Sequence, residues 1–437
     1  MFAVFGGAGA GRYTGTALPT RGRHAALPWQ RPVFTGPFMR IHSTRRHVLA
    51  LAALLPWVRP VVAATDWPAV QRAARGQTVY FNAWAGSERI NAYLRWARVE
   101  IDRRFGVTLE HVKIADTAEV VKRVRAEKQA GRTTRGSVDM VWINGENFLA
   151  MKHAGLLYGP FAEKLPAYVN VDTVGKPTTR IDFSEPVAGM EAPWGMAQLT
   201  FFGDSTQVPR RPRSMSELIE FARAHPGRFS YPKPPDFHGT TFLKQMLLES
   251  SVERRVFYAP LVNEQFERLA APLWSQLDTL HPSLWREGRQ FPANNAVMRQ
   301  MLADGELSVS LTFNPNEAAS EIAAGRLPAS VVSWQHVAGT IGNTHFLAIP
   351  FNARAKEGAQ VAIDFLLSPQ AQARKADIAV WGDPTVLAVD RLPAAQRALF
   401  TRTVRPGMVE HGAPAWPEPH ASWVPAIERE WTRRYGQ

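Results

Sequence analysis

Residues 78–105 read TVYFNAWAGSERINAYLRWARVEIDRRF, and the change of period inside this stretch decides the fold class. Thr78–Asn82 is a run of β-formers and reads as a strand. A polar-aromatic turn follows through Trp84 and Gly86. From Ser87 onward Ile90, Tyr93, Leu94, Ala97 and Ile101 recur at helical spacing, which predicts an amphipathic helix over Ser87–Phe105. Ser87, directly after Gly86, suits an N-cap, because its hydroxyl can accept from a first-turn amide. A strand passing to a helix through a short turn is the unit of an α/β fold.

The unit recurs downstream. Val107–Ile114 reads as a strand and Thr117–Gln129 as a helix ending at Gly131. Val138–Ile143 is apolar almost throughout, as a strand covered on both faces must be. A helix over Asn147–Ala154 stops at Gly155. Ala192–Ser205 is a Pro-Trp-Gly break and then a strand, and a Pro-rich turn follows over Val208–Arg213. A helix over Ser216–His225, capped by Ser216, precedes a short strand at Arg228–Tyr231. Gly239-Thr240-Thr241 opens a helix over Phe242–Glu249. Helices near 263–280 and 294–304, strands at Leu307–Phe313 and His345–Pro350, and a helix at Gly358–Leu367 complete the pattern. No 20–50-residue repeat appears, which sets aside solenoids and propellers.

The 437 residues include 45% apolar residues and no Cys. That length predicts two or three domains. Without Cys there is no disulfide scaffold, no thiolate metal site and no cysteine nucleophile. The net charge of +13 is unevenly spread. Residues 1–64 hold eight Arg and no Lys, Asp or Glu, so the other 373 residues carry only +5. Bulk basicity therefore gives no case for a nucleic-acid partner.

The acid-free leader has the order of an export signal. Ser43-Thr44-Arg45-Arg46-His47-Val48-Leu49 places twin arginines, Arg45 and Arg46, before an apolar run, and Val62-Ala63-Ala64 offers small residues for cleavage. The apolar stretch Val48–Val58 is far shorter than the roughly 20 residues a membrane-crossing helix needs. Residues 1–64 are thus expected to be a leader with its core at 39–64, recognised by the twin-arginine translocase and removed. Met39 is a plausible start for it. The mature chain is expected in the periplasm, free and monomeric.

Catalytic signatures are missing: no G-x-x-x-x-G-K-[ST], no G-x-S-x-G and no H-E-x-x-H. The twelve His do not pair at metal-ligand spacing, so neither an enzyme nor a cofactor or metal site is predicted. What the sequence offers instead is polar-aromatic turns directly after apolar strands: Asn82, Trp84, Gly86 and Ser87; Trp142, Asn144, Gly145 and Glu146; Asn314 and Glu317. In open α/β sheets ligands bind beyond the carboxyl ends of the strands. Amides and carboxylates there hydrogen-bond a polar solute, and indoles stack on it. Any one of these turns equally suits an ordinary turn or core. Trp194, Asp236 and Thr240 could line the opposite wall, although Asp236, Glu146 and Glu317 could equally cap helices.

Ten segments carry a family resemblance: FNAWAGSERIN (81–91), ADTAEVVKRV (115–124), SVDMVWINGENF (137–148), PWGMAQLTF (193–201), YPKPPDFHGTTFL (231–243), LTFNPNEAASEI (311–322), GNTHFLAIPFNA (342–353), FLLSPQAQARKAD (365–377), VWGDPTV (380–386) and EREWTRRYG (428–436). In this order they resemble the YnjB group of extracytoplasmic solute-binding proteins of ABC importers. The resemblance runs from about Gly76 to the C-terminus. It implies an α/β, two-lobed periplasmic binding protein fold like that of the maltose-, polyamine- and thiamine-binding proteins, with Pro193–Gly203 and Asn343–Phe351 crossing between the lobes. The first lobe is expected at 77–196 plus 345–378, the second at 197–344 plus 379–437. Expected partners are a small polar, thiamine-like or cationic solute in the interlobe cleft, and membrane permease and ATPase subunits. A ferric-iron binder of the same fold and an exported hydrolase are the alternatives.

Overall fold

The structure is a computed structural model that describes residues 66–400 and 404–436. Arg45, Arg46 and the expected cleavage point lie outside the described residues.

Helix α1 (Trp67–Ala74), capped by Asp66, leads into β1 (Thr78–Trp84) and α2 (Glu88–Phe105). Helix α2 stops where Gly106 turns left-handed at φ +64° and its N–H returns to the Asp102 carbonyl, a C-terminal arrangement that glycine adopts without steric cost. Strand β2 (Thr108–Ile114), helix α3 (Thr117–Gln129), strand β3 (Met140–Ile143) and helix α4 (Gly145–His153) follow. A short hairpin, β4 (Ile181–Asp182) and β5 (Glu185–Pro186), precedes β6 (Glu191–Gln198) and β7 (Thr200–Asp204). The chain continues through α5 (Met215–Ala224), α6 (Phe237–Ser250), α7 (Phe266–Leu280), α8 (Asn295–Ala303), β8 (Val309–Thr312) and α9 (Glu317–Ala323). Strands β9 (Val331–Trp334) and β10 (Thr340–Ala348) lead to α10 (Lys356–Leu367), α11 (Pro369–Ala376), α12 (Ala394–Arg397), β11 (Ala415–Trp416) and α13 (Trp423–Tyr435).

The first sheet has the order β11-β10-β3-β1-β2, with β6 also on β10. Strands β1, β2 and β3 are parallel, while β10 runs antiparallel to both β3 and β6. The second sheet, β8-β7-β9, is antiparallel. Only Leu199 separates β6 from β7, so this segment carries the chain from one sheet to the other, and β10 brings it back. Residue alternation distributes the cores. Leu347 joins Val79, Phe81, Leu94 and Leu366 on one face of the first sheet, whereas its neighbour Phe346 joins Val121, Val141 and Phe148 on the other. A separate core gathers Phe201, Phe242, Leu273, Trp423 and Trp431 around the second sheet.

Several boundaries differ from expectation. The cap of α5 is Ser214, whose hydroxyl accepts from Glu217 N, not Ser216. Ser87 stands at the N-cap of α2 but makes no side-chain capping bond. Helix α6 begins five residues before Phe242 because Asp236 already caps it. The expected strand at Arg228–Tyr231 forms no ladder, although Phe229, Ser230 and Tyr231 are buried; Phe229 accepts from Trp285 N and Arg228 from Ser308 N. The expected handover to the second lobe at 379 conflicts with Trp381, Val386, Leu387 and Leu392, which belong to the first core. Asp383 explains this. It is buried, pairs with Lys375 on α11 and lies within hydrogen-bond distance of His345 Nε2 on β10, and so anchors its segment to the first half.

Candidate functional site

The register that pairs Asn82 with Val141 sets Trp84 and Ile143 level at the carboxyl edge of the first sheet. Trp84 is 37% exposed, and its indole lies over Gly86, where any Cβ would collide with the ring. Asn82, by contrast, is fully buried; Arg123 on α3 donates to its Oδ1 at 3.2 Å. Asn144 caps α4 by position without a side-chain bond. Gly145 N donates to Asp182 Oδ2 at 2.6 Å, so the first amide of α4 serves an internal carboxylate.

Glu146, in the first turn of α4, is half-buried, and burial pushes its carboxyl up to about 7. Three further charges act on it: Lys244 of α6 favours ionisation, whereas Glu428 of α13 and Asp116, the cap of α3, oppose it. Thr240 Oγ1 donates to Glu428 Oε1 at 2.7 Å. Burial also raises Glu428. Lys244 is already committed, 2.7 Å from Glu418. Elements of both lobes thus bring a net negative set of groups to one junction. Within that set Glu146 and Thr240 were legible as candidates; Asp116, Lys244, Glu418 and Glu428 were not. One signal was available: Lys244 is the lone charge in the apolar run Phe242–Leu248.

The other candidates sit elsewhere in the same junction or in the cores. Asp236 Oδ1 accepts from His238 N and Gly239 N, which is the capping role. Glu317 is paired with Arg299 at 2.5 Å and accepts from Asn295 and Thr312. Asn314 Nδ2 reaches the Trp381 carbonyl at 3.4 Å, a bridge between the lobes. Arg89 of α2 makes another: its guanidinium donates to Ser320 O and lies 3.6 Å from Glu321. Trp194 has no exposure and packs edge-on against Trp142 and Trp381, with centroids 5.1 and 5.3 Å apart. Trp142 is only partly covered. Two shallow surface depressions, about 260 and about 240 Å³, are lined by other residues, Leu261 and Phe266 in one and Val208 and Phe221 in the other. Among the described residues no group of three or more His, Asp or Glu converges in a metal-holding arrangement. No described helix is long and apolar enough to cross a membrane.

Residues 97–396 match the family model described as bacterial extracellular solute-binding protein. Protein YnjB of Escherichia coli (strain K12) is 47% identical over 391 residues, covering 90% of this chain and 99% of that one. Among solved structures, the Tp0655 (TpPotD) lipoprotein of Treponema pallidum superposes with a TM-score of 0.61 at 15% identity, over 82% of this chain and all of that one. A putative spermidine/putrescine ABC transporter protein from Listeria monocytogenes gives 0.58 at 14% identity, over 82% and 99%. At such identity the structures speak for the fold, which is that of two-lobed periplasmic binding proteins.

Proposed function

This chain belongs to the family of bacterial extracellular solute-binding proteins, and from that premise we propose that it captures a small cationic solute carrying a planar ring, thiamine-like in that sense, between its two lobes. It is the solute-binding component of an ABC transporter, and such components deliver their solute to membrane permease and ATPase subunits. Its family and fold are those of binding proteins rather than enzymes.

The observation that carries the cationic reading is the charge balance at the junction. Asp116, Glu146 and Glu428 have no ion-pair partner among the described residues, while the neighbouring Lys244 is taken by Glu418. A cation entering there would lower the free energy of three carboxylates at once, and the Trp84 face would add a cation–π contact. Trp142, Asn144, Gly86 and Ser87 stand at the same sheet edge and belong to the proposed contact set. Two lobes of opposite walls also favour a closing motion in which solute selects the closed state. The leader fits export through the twin-arginine route to the periplasm.

A thermal-shift panel tests the reading with thiamine, spermidine, 4-aminobutyrate, neutral sugars and sugar phosphates. Ligand at 100 times its Kd adds about 2.7 kcal/mol of stability. Thiamine or another aromatic cation should shift the melting temperature most. A shift with sugar phosphates alone would reject the cationic assignment.

A further inference from the structure

We propose that Asn91 is a positioning residue for solute recognition: it hangs the Ala85–Gly86 turn from α2 and so sets the Trp84 indole where a planar cationic solute stacks on it. This role rests on the reading that such a solute meets Trp84, and deepens it by naming what holds the stacking face in place. Asn91 stands on the buried side of α2 with Ile90, Tyr93, Leu94, Ala97 and Ile101. It is the only amide side chain in that set and is 6% exposed. Asn is a poor helix former, because its side chain competes for backbone partners. Its Oδ1 is buried and has no hydrogen-bond partner among the described residues, a costly state for an acceptor. Packing alone would favour an apolar side chain here, so the use of Asn91 lies in its other end.

That end is Nδ2, which donates to the Ala85 carbonyl at 3.1 Å. Among the described residues Ala85 and Gly86 enter no backbone–backbone hydrogen bond, so the Asn91 amide supplies the bond that fixes them. Ser87 makes no side-chain capping bond and leaves the turn to Asn91. Asn91 N also donates to the Ser87 carbonyl at 3.0 Å. One residue therefore holds both ends of the Ala85–Ser87 turn, by its side chain and by its backbone. Between those ends Gly86 supports the indole: a Cβ there would run into Cζ2 and Cε2 of Trp84. The ring lies against bare backbone, and its place follows the turn. The 37% of Trp84 that stays exposed is what a solute can reach. Without Nδ2 the Ala85 carbonyl must turn toward water, which takes the indole off Gly86. A face fixed in advance favours a flat, rigid ring, which gives up little freedom in stacking, over a flexible aliphatic polyamine.

A solute-free measurement reads the indole directly. The full chain is labelled with 5-fluorotryptophan, and the Trp84 fluorine resonance is identified by its loss in Trp84→Leu. Asn91→Leu keeps the shape of the side chain and removes the donor. It should move or broaden the Trp84 resonance and leave the other Trp resonances in place. Gly86→Ala, which drives the ring from its support but keeps Asn91, should move the same resonance. Asn91→Ala carries the test if Asn91→Leu does not fold. A folded Asn91 variant with an unmoved Trp84 resonance overturns the positioning role, whatever solute the cleft takes. Titration with thiamine then reads whether Asn91 acts through the indole. Asn91→Leu should weaken binding roughly 2- to 10-fold, the scale of one lost hydrogen bond, and should weaken spermidine less. Combined with Trp84→Leu it should add no further loss. A fully additive loss in the double variant would mean that Asn91 meets the solute itself, and overturns positioning. If Trp84→Leu binds thiamine like the parent, the solute reading falls, and the fluorine resonance alone still decides whether Asn91 places the indole.

Discussion

Lys244 Nζ lies 2.7 Å from Glu418 Oε2, and both side chains are almost wholly shut off from solvent. The other Glu418 oxygen accepts from Asn343 Nδ2 at 2.9 Å on the crossing strand β10. One ion pair therefore ties α6, the segment before α13 and a crossing strand together, next to the proposed solute site. Burial raises the Glu418 carboxyl, and Lys244 counteracts that rise. The pair is costly to desolvate, so its net worth is modest, but removing one member strands the other.

Lys244→Met should accordingly lower unfolding stability by about 3–5 kcal/mol at pH 7. Lys244→Met combined with Glu418→Leu should recover most of that loss. Glu418 in the single variant takes up a proton more readily than in the parent, so the deficit should shrink as pH falls toward 5. Urea denaturation of the three variants at pH 7 and pH 5 measures both effects. A single variant as stable as the parent would mean the pair is dispensable.

The α/β plan was readable because period and punctuation agree along Thr78–Ile143: a β-former run, a glycine turn, then helical spacing. Reading failed where tertiary partners decide. Asp383-Pro384 looks locally like any turn starter, and only the fold supplies Lys375 and His345 around it. Arg228–Tyr231 has strand-like sequence, but the Arg228 and Phe229 carbonyls accept from Ser308 N and Trp285 N instead of entering a ladder. At the site, sequence could nominate residues after strands but not sort them. Trp84 and Trp194 are both tryptophans beside glycines, yet one is exposed and the other fully enclosed. Lys244, Glu418 and Glu428 stayed hidden because they come from late segments that reach the junction only through long-range packing.

Glu146 predicts a pH dependence of solute affinity. Its carboxyl, raised by burial to about 7, ionises only partly at neutral pH. The group's folded value lies above its unfolded one, so its contribution to fold stability is full below about 4.5 and is lost as pH rises toward 7. A cationic solute prefers the ionised form, which reverses the sign for binding. Thiamine affinity should rise between pH 6 and 8 and level off above, with proton release visible as a buffer-dependent enthalpy in titration calorimetry. Glu146→Gln should weaken binding at pH 8 and flatten the profile. An unchanged profile would remove Glu146 from the site.

His281 predicts acid sensitivity remote from that site. Trp431 Nε1 donates to the Tyr231 hydroxyl oxygen at 2.8 Å, which leaves the Tyr231 proton to point at His281 Nε2, 2.7 Å away. This chain assigns Nε2 as acceptor and the neutral Nδ1–H tautomer. Burial holds His281 down to about 4. Below pH 6.5 the unfolded chain binds a proton that the folded chain refuses, so stability should fall down to about pH 4 and flatten there, at up to about 1.4 kcal/mol per pH unit from this group. Denaturation midpoints of His281→Gln between pH 7 and pH 4.5 should show a shallower slope than the parent; equal slopes would place the acid sensitivity elsewhere.

The leader gives a test in cells. Arg45→Lys with Arg46→Lys should abolish export if the twin-arginine translocase reads this segment. N-terminal sequencing of the exported protein should begin near Thr65. Undiminished export of the double variant would contradict the route.

Trp84 and Trp194 separate solute recognition from packing. The Trp84 indole is exposed at the junction, whereas Trp194 fills the first core among Trp142, Trp381 and His345. Stacking of an organic cation on a desolvated indole is worth on the order of 1–2 kcal/mol, so Trp84→Leu should weaken binding of an aromatic cation roughly 5- to 30-fold. Leu keeps much of the apolar volume, and at an exposed position the melting temperature should barely move. Trp194→Leu instead opens a cavity among packed rings and should cost about 3 kcal/mol or more in stability. Trp142, partly covered and in contact with both Trp194 and the sheet edge, should show both effects in smaller measure. Calorimetric titration with thiamine and thermal melts on the three single variants give the two readouts. If Trp84→Leu binds like the parent while Trp194→Leu, still folded, loses affinity, the solute lies against the crossing strands and not on the exposed indole.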